Sequence, residues 1–296
     1  MVQGENTLHR PFTTFVGIDL GGARGKTTAV ATLTRRDDGV AVDAVATRRV
    51  GEPWHDESLW DYLSSLGSSA AIAINAPLTA PACVRCVEAI CPGIAECVDP
   101  AVVWLRTVGH ELAVGTEMEQ AEVGAPAHHR VTTLRRTPRG RVVPYSQRGT
   151  ELVLCHEQGI LPQTAIGGAT GAVAARAAHL VKRLAAGGFA MHERLIEVSA
   201  HATVAALFDR RKARGYKRDA DPWHTRAEIV EGLAAHGGLA FSPSSRMSRE
   251  EVLRNDNCFD AMIAGYTAYR WTVEGWTLPD PVFATDGWIY APAPKR

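Results

Sequence analysis

The sequence lacks an excess of charge of either sign, since its 296 residues include 32 Lys and Arg against 32 Asp and Glu. A neutral chain is not attracted as a whole to nucleic acid or to a membrane surface, so an anionic partner has to bind at a local patch. Long hydrophobic runs are also missing: no segment approaches the ~20 consecutive apolar residues that span a bilayer. We therefore expect a soluble protein without a membrane partner.

A secretory signal and a disulfide framework are absent as well. The first residues, MVQGENTLHRPFTT, contain no short apolar run. Only six cysteines are present, and four of them are crowded between positions 83 and 97, a spacing better suited to one metal centre than to disulfides. With 46% hydrophobic and 22% charged residues the composition is that of a globular chain. These features together predict a cytoplasmic protein.

Short apolar segments separated by turn residues predict an α/β domain, with a mixed sheet flanked by helices. We expect residues 1–13 to be a flexible lead and residues 14–296 to form one domain. Strands are predicted at 15–20, 27–34, 40–50, 70–76 and 194–198. Helices are predicted at 58–66, from Pro100 onward, at 170–186 and at 200–208, with two further helix starts at the capping-box patterns of Thr225 and Ser248.

Three acids lie near the ends of predicted elements. Asp19 ends the first strand, Glu197 is near the end of the fifth, and Asp260 is in the last long helix. If the sheet brings these strands together beneath that helix, the three carboxylates converge. Such a group suits Mg²⁺ or Mn²⁺, which prefer oxygen ligands and stabilise the attacking and leaving oxygens in phosphoryl transfer. A lone histidine such as His201 is more often a surface or capping residue.

Five segments in this order resemble domain of unknown function family 429, a family of predicted RNase H-like nucleases. The segments are FVGIDLGG, AINAPL, RLIEVSAHATVAAL, DNCFDAMIAGYTAY and EGWTLPDPVFATDGWIYAP. The resemblance covers most of residues 14–292. It implies an RNase H-like fold in which Asp19, Glu197 and Asp260 bind a divalent metal.

Two positions depart from the family pattern. Asn75 stands where the fourth strand of such proteins usually has Asp, and Asn257 stands where the final helix often has a second acid, three residues before Asp260. The adjacent Asp256 is an alternative ligand. An amide oxygen can ligate a metal but brings no negative charge, so both changes weaken the predicted metal affinity. The candidate catalytic residues are Asp19, Glu197, Asp260, Asp256, Asn75 and Asn257.

Cys83, Cys86, Cys91 and Cys97 form the pattern C-x2-C-x4-C-x5-C in a loop, residues 81–98, that follows the fourth strand. Four thiolates this close in sequence can bind one Zn²⁺ or one 4Fe-4S cluster. The Cys-Pro pair and the compact spacing resemble ferredoxin-type ligation, so the pattern favours iron–sulfur over zinc. We expect the centre to have a structural role beside the active site.

Positive charge is concentrated in residues 121–150, which have little periodicity and predict a long loop. Arginine side chains suit phosphate oxygens, so a nucleic acid or a phosphorylated ligand is one expected partner. The alternative is a solvated loop whose charges pair with nearby glutamates. The candidate substrate-binding residues are Arg130, Arg135, Arg136, Arg139 and Arg141, and Arg148 lies near the end of the segment.

The segment GGARGKT at residues 21–27 does not match a P-loop, because Leu20 stands where the first Gly is needed and a strand follows instead of a helix. A Gly-rich turn after a first-strand Asp also occurs in ATPases of the actin and hexokinase superfamily, which share the RNase H-like core. Three hypotheses therefore remain: a metal-dependent phosphodiesterase, an ATPase, and a catalytically degenerate binding module. The sequence leaves the oligomeric state open.

Overall fold

The computed structural model describes residues 10–22, 27–113, 142–160, 164–167 and 170–294. The strands in these ranges are β1 Thr14–Asp19, β2 Ala29–Arg36, β3 Gly39–Ala46, β4 Arg48–Arg49, β5 Glu52–Pro53, β6 Ala70–Asn75, β7 Leu195–Val198, β8 Leu239–Phe241 and β9 Ile289–Tyr290. The α-helices are α1 Asp56–Ser64, α2 Ala82–Arg85, α3 Pro100–Trp104, α4 Gly149–Gln158, α5 Gly171–Ala186, α6 Ala200–Leu207, α7 Arg210–Arg218, α8 Pro222–Gly237, α9 Arg246–Arg254, α10 Asp256–Glu274 and α11 Phe283–Asp286. None of the described helices is long and apolar enough to cross a membrane.

Seven strands form one mixed sheet in the order β8-β3-β2-β1-β6-β7-β9. The first three strands pair antiparallel, while β6, β7 and β9 continue the sheet in parallel from β1. The predicted mixed sheet flanked by helices is therefore confirmed. The parallel strands all end at the same edge of the sheet, which is where their polar terminal residues meet.

Two apolar layers cover the sheet, because successive side chains of a strand point to opposite faces. Phe15 and Ile196 belong to the layer that α10 covers, whereas Ile18 and Ile74 belong to the layer beneath α1 and α5. Helix α10 lies directly on β1: a Cβ added to Gly17 would be 2.0 Å from the carbonyl oxygen of Ala261 in α10. Glycine thus permits the close approach of the two backbones.

Residues 10–13 belong to the folded domain, although the sequence assigns them to a flexible lead. Arg10 donates hydrogen bonds to the carbonyl oxygens of Trp271 (3.1 Å) and Trp276 (2.9 Å), and its guanidinium lies 3.8 Å from the centre of a Trp271 ring. Phe12 is buried and stacks on the same tryptophan. The cation–π and hydrogen-bond contacts hold the segment in place. Residues 1–9 lie outside the described residues.

Two helices begin before the capping boxes that were expected to start them. Helix α8 begins at Pro222 rather than Thr225, with the side chain of Asp221 as its cap. In α9, Ser248 lies inside the helix, and its hydroxyl accepts a hydrogen bond from the backbone N–H of Val45 at 3.0 Å. The hydroxyl that the local pattern predicted to cap a helix therefore binds the backbone of β3 instead.

A candidate active site at the edge of the sheet

Strands β1 and β6 place Asp19 and Asn75 side by side, as register partners at the ends of two parallel strands. The Asn75 Nδ2 donates a hydrogen bond to Asp19 Oδ1 over 2.7 Å. The Asn75 Oδ1 accepts a hydrogen bond from the backbone N–H of Ala200, at the start of α6, over 3.1 Å. Because both ends of the amide have partners, Asn75 orients Asp19 and is not free to ligate a metal through its oxygen.

Helix α10 brings a second carboxylate, Asp260, to this point. The side chain is buried, with 1% of the residue exposed. Tyr216 Oη donates a hydrogen bond to Asp260 Oδ1 at 2.8 Å, and Lys217 Nζ forms a short ion pair with Asp260 Oδ2. Both donors come from α7. Asp256, one turn earlier in α10, is partly buried and acts electrostatically on both Asp19 and Asp260.

The two carboxyl groups disfavour each other's charge. Burial and then the charge of Asp260 raise the pKa of Asp19 from 3.8 to about 8, against the opposing effects of Asn75 and Lys217. Burial also raises the pKa of Asp260, although Lys217 and Tyr216 oppose the shift. Burial alone would lower the pKa of Lys217, but Asp260 outweighs it and the pKa is raised. Such a pair favours either a bound proton or a nearby cation.

Glu197 does not join this pair, contrary to the expected convergence. Its register partner in β6 is the residue before Asn75, so its side chain points to the opposite face of the sheet from Asp19 and Asn75. There Arg148 donates to both of its carboxylate oxygens at 2.8 Å. The alternation of side chains along a strand separates Glu197 from Asp260, and the arginine neutralises its charge.

Arg148 stabilises the interior of the fold. It is fully buried and also donates hydrogen bonds to Glu151 (3.0 Å) and to Thr79 (2.9 Å). Burial alone would lower the pKa of Arg148, but Glu197 and Glu151 reverse the effect and raise it. Arg148 is thus not available to a phosphate. The other predicted substrate-binding arginines, Arg130, Arg135, Arg136, Arg139 and Arg141, lie outside the described residues.

A cleft of about 420 Å³ opens beside Asp260, and Glu197, Ser199 and His201 also line it. One wall is the basic helix α7, a feature that the sequence analysis missed. Burial, followed by the charges of α7, lowers the pKa of His201 to about 4, so the imidazole is neutral at physiological pH. The sequence signal was RRKARGYKR, in which several basic residues recur at helical spacing. The basic residues that line the cleft are Arg210, Arg214, Lys217 and Arg218.

The four clustered cysteines are all free thiols in the described structure. Cys83 and Cys97 are partly buried, and Cys86 and Cys91 are exposed. Burial and then the other three thiols raise the pKa of Cys83. Among the residues that the structure describes, no group of three or more His, Cys, Asp or Glu side chains is arranged to hold a metal ion. The four-cysteine centre therefore stays a prediction.

The Gly-rich turn after β1 is held by internal contacts where it is described. The backbone N–H of Gly21 donates to Thr28 Oγ1 at 3.1 Å. Arg176 of α5 donates to the carbonyl oxygen of Gly21 and, at 2.7 Å, to Thr28 Oγ1. The polar groups at the ends of the turn therefore have partners within the protein. Residues 23–26 lie outside the described part of the chain.

Comparison with known proteins yields one family. The family model described as "Protein of unknown function (DUF429)" matches residues 17–283, a range that contains Asp19, Asp260, the four clustered cysteines and helix α7. No curated protein and no solved structure matches the chain.

Proposed function

The chain belongs to the DUF429 family, whose description names no activity, and from the cleft we propose that it is a metal-dependent, RNase H-like phosphodiesterase acting on nucleic acid. The observation that carries the proposal is the carboxylate pair of the partly buried Asp19 and the buried Asp260, whose raised pKa values indicate a place that favours positive charge. Asp260 of this pair lines a cleft with a basic wall, and so does Asn75, the partner of Asp19. A carboxylate pair suits a cation and a basic wall suits an anion, and phosphodiester hydrolysis at a metal brings both together.

The residues fit a hard divalent cation. Asp19 and Asp260 would hold it, with Asp256 nearby, and all of these donors are oxygen atoms. Mg²⁺ is commonly bound by only one or two carboxylates, while water and substrate phosphates complete its coordination. A two-carboxylate site is therefore compatible with the absence of a larger metal-holding group among the described residues. When bound, the ion would activate water and stabilise charge on the phosphate oxygens.

The side chains around the pair have separate tasks in this proposal. Asn75 orients Asp19, and Tyr216 orients Asp260. Lys217 neutralises part of the acidic charge, and its side chain is 37% exposed, so its ammonium can also reach a phosphate in the cleft. The neutral His201 lines the same cleft and is able to accept a proton.

The proposal is tested by incubating labelled single-stranded and duplex DNA and RNA with the protein in Mg²⁺ or Mn²⁺. Changing partners outside the first ligand sphere already costs about 10–100-fold, so Asp19→Asn and Asp260→Asn are each expected to reduce cleavage by at least about 100-fold. Asp61→Asn, on the exposed surface of α1, is the matched control and keeps full activity. Mn²⁺ binding measured by calorimetry without substrate gives a second readout. Cleavage and Mn²⁺ affinity unchanged by Asp19→Asn would reject the site.

One observation favours a second candidate, a binding module that has lost hydrolysis. Lys217 already neutralises Asp260, and the end of β6 beside Asp19 carries the uncharged amide of Asn75. A fixed ammonium and an amide stabilise the acids without any metal. In this case the wild-type protein binds oligonucleotides but does not cleave them in any metal, and Asp19→Asn leaves the affinity unchanged.

We also propose that Cys83, Cys86, Cys91 and Cys97 hold one metal centre, an iron–sulfur cluster rather than zinc. The support is their spacing and the electrostatic influence of the other three thiols on Cys83. Such a centre needs reduced thiols, as found in the cytoplasm. Its role would be to organise a loop whose apolar side chains are largely exposed, namely Val84, Val87, Ile90 and Val98.

Contacts at two points hold this loop against the domain. Arg85 pairs with the buried Asp286 at 3.0 Å, and Arg106 donates to the carbonyl oxygen of Ile94 at 2.7 Å. Anaerobic purification is expected to give a brown protein that absorbs near ~400 nm and contains iron and sulfide. Cys86→Ser is expected to remove the colour, whereas Cys155→Ser is the control that keeps it. A colourless protein with stoichiometric zinc would overturn the iron–sulfur assignment, and a protein with neither metal would overturn the centre.

A further inference from the structure

The basic helix α7 presents charges to the cleft that the described fold does not neutralise. Arg214 and Arg218 are exposed and line the cleft, and their side chains form no hydrogen bond or ion pair with any residue that the structure describes. Lys212, on the other side of the helix, differs because it pairs with Glu228 at 3.0 Å. Two unpaired guanidinium groups therefore stand at the cleft and attract an anionic ligand.

These positive charges also affect a side chain that lines the cleft, the imidazole of His201. After burial, the charges of Lys217, Arg214 and Arg218 are the causes that lower the pKa of His201, which lines the same cleft. Arg210 adds a third guanidinium at the cleft, and its Nε donates to the carbonyl oxygen of Gln158 at 2.7 Å. Asp260 neutralises the charge of Lys217, and the positive charges of the arginines on this wall remain in excess.

The spacing of the arginines favours a particular anion. Arg210, Arg214 and Arg218 recur every four residues, so they lie on one side of α7 at steps of about 6 Å along its axis. Successive phosphates of an extended nucleic-acid strand are separated by a comparable distance. Arginine is also the side chain that binds phosphate oxygens in a two-pronged geometry.

Helix α7 offers a ligand charged side chains rather than an apolar surface. Among the residues of α7, Ala213, Gly215 and Tyr216 are buried, so the helix exposes no apolar side chain to a protein partner. The cleft volume of about 420 Å³ is that of a small-ligand site, with room for a nucleotide unit and not for a whole duplex.

We infer that Arg210, Arg214 and Arg218 of α7 bind the phosphate backbone of a single nucleic-acid strand and lead it to the carboxylate pair. The inference rests on the proposed function, because it gives that site its substrate: a strand rather than a duplex, with α7 as the surface that holds the backbone.

The test measures binding of fluorescent single-stranded DNA and RNA of about 12 nucleotides in EDTA, so that hydrolysis plays no part. The double variant R214E/R218E is expected to weaken binding by at least about tenfold. It should also reduce the slope of log affinity against log salt by about 1.4, because each lost phosphate contact of a single strand accounts for about 0.7. The milder R214Q/R218Q should reduce the slope similarly.

The matched control is R211E/K182E, which changes the net charge equally at two exposed residues that do not line the cleft. It is expected to change the affinity by less than about threefold. Equal losses for the two double variants would overturn the inference, as would a wild-type protein that binds no strand, or polyglutamate that competes as well as an unlabelled strand. A protein that binds strands through α7 in EDTA but never cleaves them refutes the proposed function alone. Cleavage that survives R214E/R218E with unchanged KM refutes the role of α7 alone.

Discussion

Glu197 and Asp260 are both buried carboxylates at one edge of the sheet, yet their partners differ. Glu197, on one face, is bound through both oxygens by Arg148, a side chain with no solvent exposure. Asp260, on the other face, lies next to a second acid, Asp19, and pairs with Lys217, whose side chain is 37% exposed. The first ion pair is closed to solvent on both sides. In the second ion pair the lysine is partly exposed to solvent, and another acid, Asp19, lies beside Asp260.

This difference separates a structural site from a site suited to a ligand. A buried carboxylate with a bidentate arginine has no remaining demand for charge, so it stabilises one conformation and is costly to break. The pair Asp19 and Asp260 remains incompletely balanced, as the raised pKa values of both groups show. Strongly perturbed carboxyl groups in a cleft are typical of functional sites.

The largest expected effect comes from breaking the closed pair. Arg148→Met leaves Glu197 and Glu151 buried without their counter-charge, and we expect the free energy of unfolding to fall by about 3–5 kcal/mol, measured by urea denaturation. Adding Glu197→Gln to that variant should recover part of the loss, since it removes one uncompensated charge.

The corresponding change on the cleft face should cost far less. Asp260→Asn keeps one oxygen, which can accept from Tyr216, and Lys217 is partly exposed and can turn to solvent, so we expect a loss within about 1 kcal/mol. Equal costs for Arg148→Met and Asp260→Asn would show that the two faces do not differ in the way proposed.

A second effect is the pH dependence of stability, which sharpens the comparison because the strongly raised pKa of Asp19 belongs to the face that holds Asp260. In the folded state Asp19 keeps its proton up to about pH 8, whereas its ordinary pKa is 3.8. Unfolding in this interval releases a proton, so this group's contribution to stability is fully present below pH 3.8 and is lost as the pH rises to about 8.

Asp19→Asn removes this titration. In EDTA, the unfolding free energy of the wild type should fall more steeply from pH 5 to pH 8 than that of the variant, by up to one proton in the linkage slope. The control Asp61→Asn should follow the wild type. Parallel curves for wild type and Asp19→Asn would contradict the assigned environment of Asp19.

The last expected effect concerns the hydroxyl that orients Asp260. Tyr216→Phe removes one donor from the carboxylate but leaves Lys217 in place, so the unfolding free energy should fall by about 1–2 kcal/mol. The same variant is expected to lower kcat more than it raises KM, because Asp260 loses its orientation while α7 keeps its arginines. A loss of stability as large as that of Arg148→Met would mean that the hydroxyl belongs to the structural core.

Much of the architecture follows from local sequence patterns. Short apolar segments separated by turn residues predicted the first three strands, and the apolar run AAIAIN predicted β6. Asp99 before Pro100 predicted the start of α3, where its side chain accepts hydrogen bonds from the backbone of the first turn. The positions of Asp19 at the end of β1 and of Asp260 in the long helix α10 were also correctly placed.

Other features depend on contacts between segments that are far apart in the sequence, and local sequence patterns do not predict such contacts. Arg148 lies in an arginine-rich segment that favours a phosphate-binding loop, but it is buried against an acid 49 positions later in the chain. Arg10 looks like part of a polar lead, but a tryptophan 261 positions away holds it. Helix α7 was missed because its strongly basic residues show no apolar stripe, the usual sign of an amphipathic helix.

By itself, the sequence determined the α/β class, most strand and helix positions, the family and the set of acids, because these follow from side-chain periodicity, turn chemistry and ordered motifs. Only the tertiary structure decided which acids share a site. A strand turns alternate side chains to opposite faces, so register places Asp19 on the face that α10 and Asp260 cover and Glu197 on the face where Arg148 lies. Register and helix packing depend on contacts across the whole sheet. For this reason one carboxylate is a candidate metal ligand on one face, whereas another forms a structural ion pair on the other face.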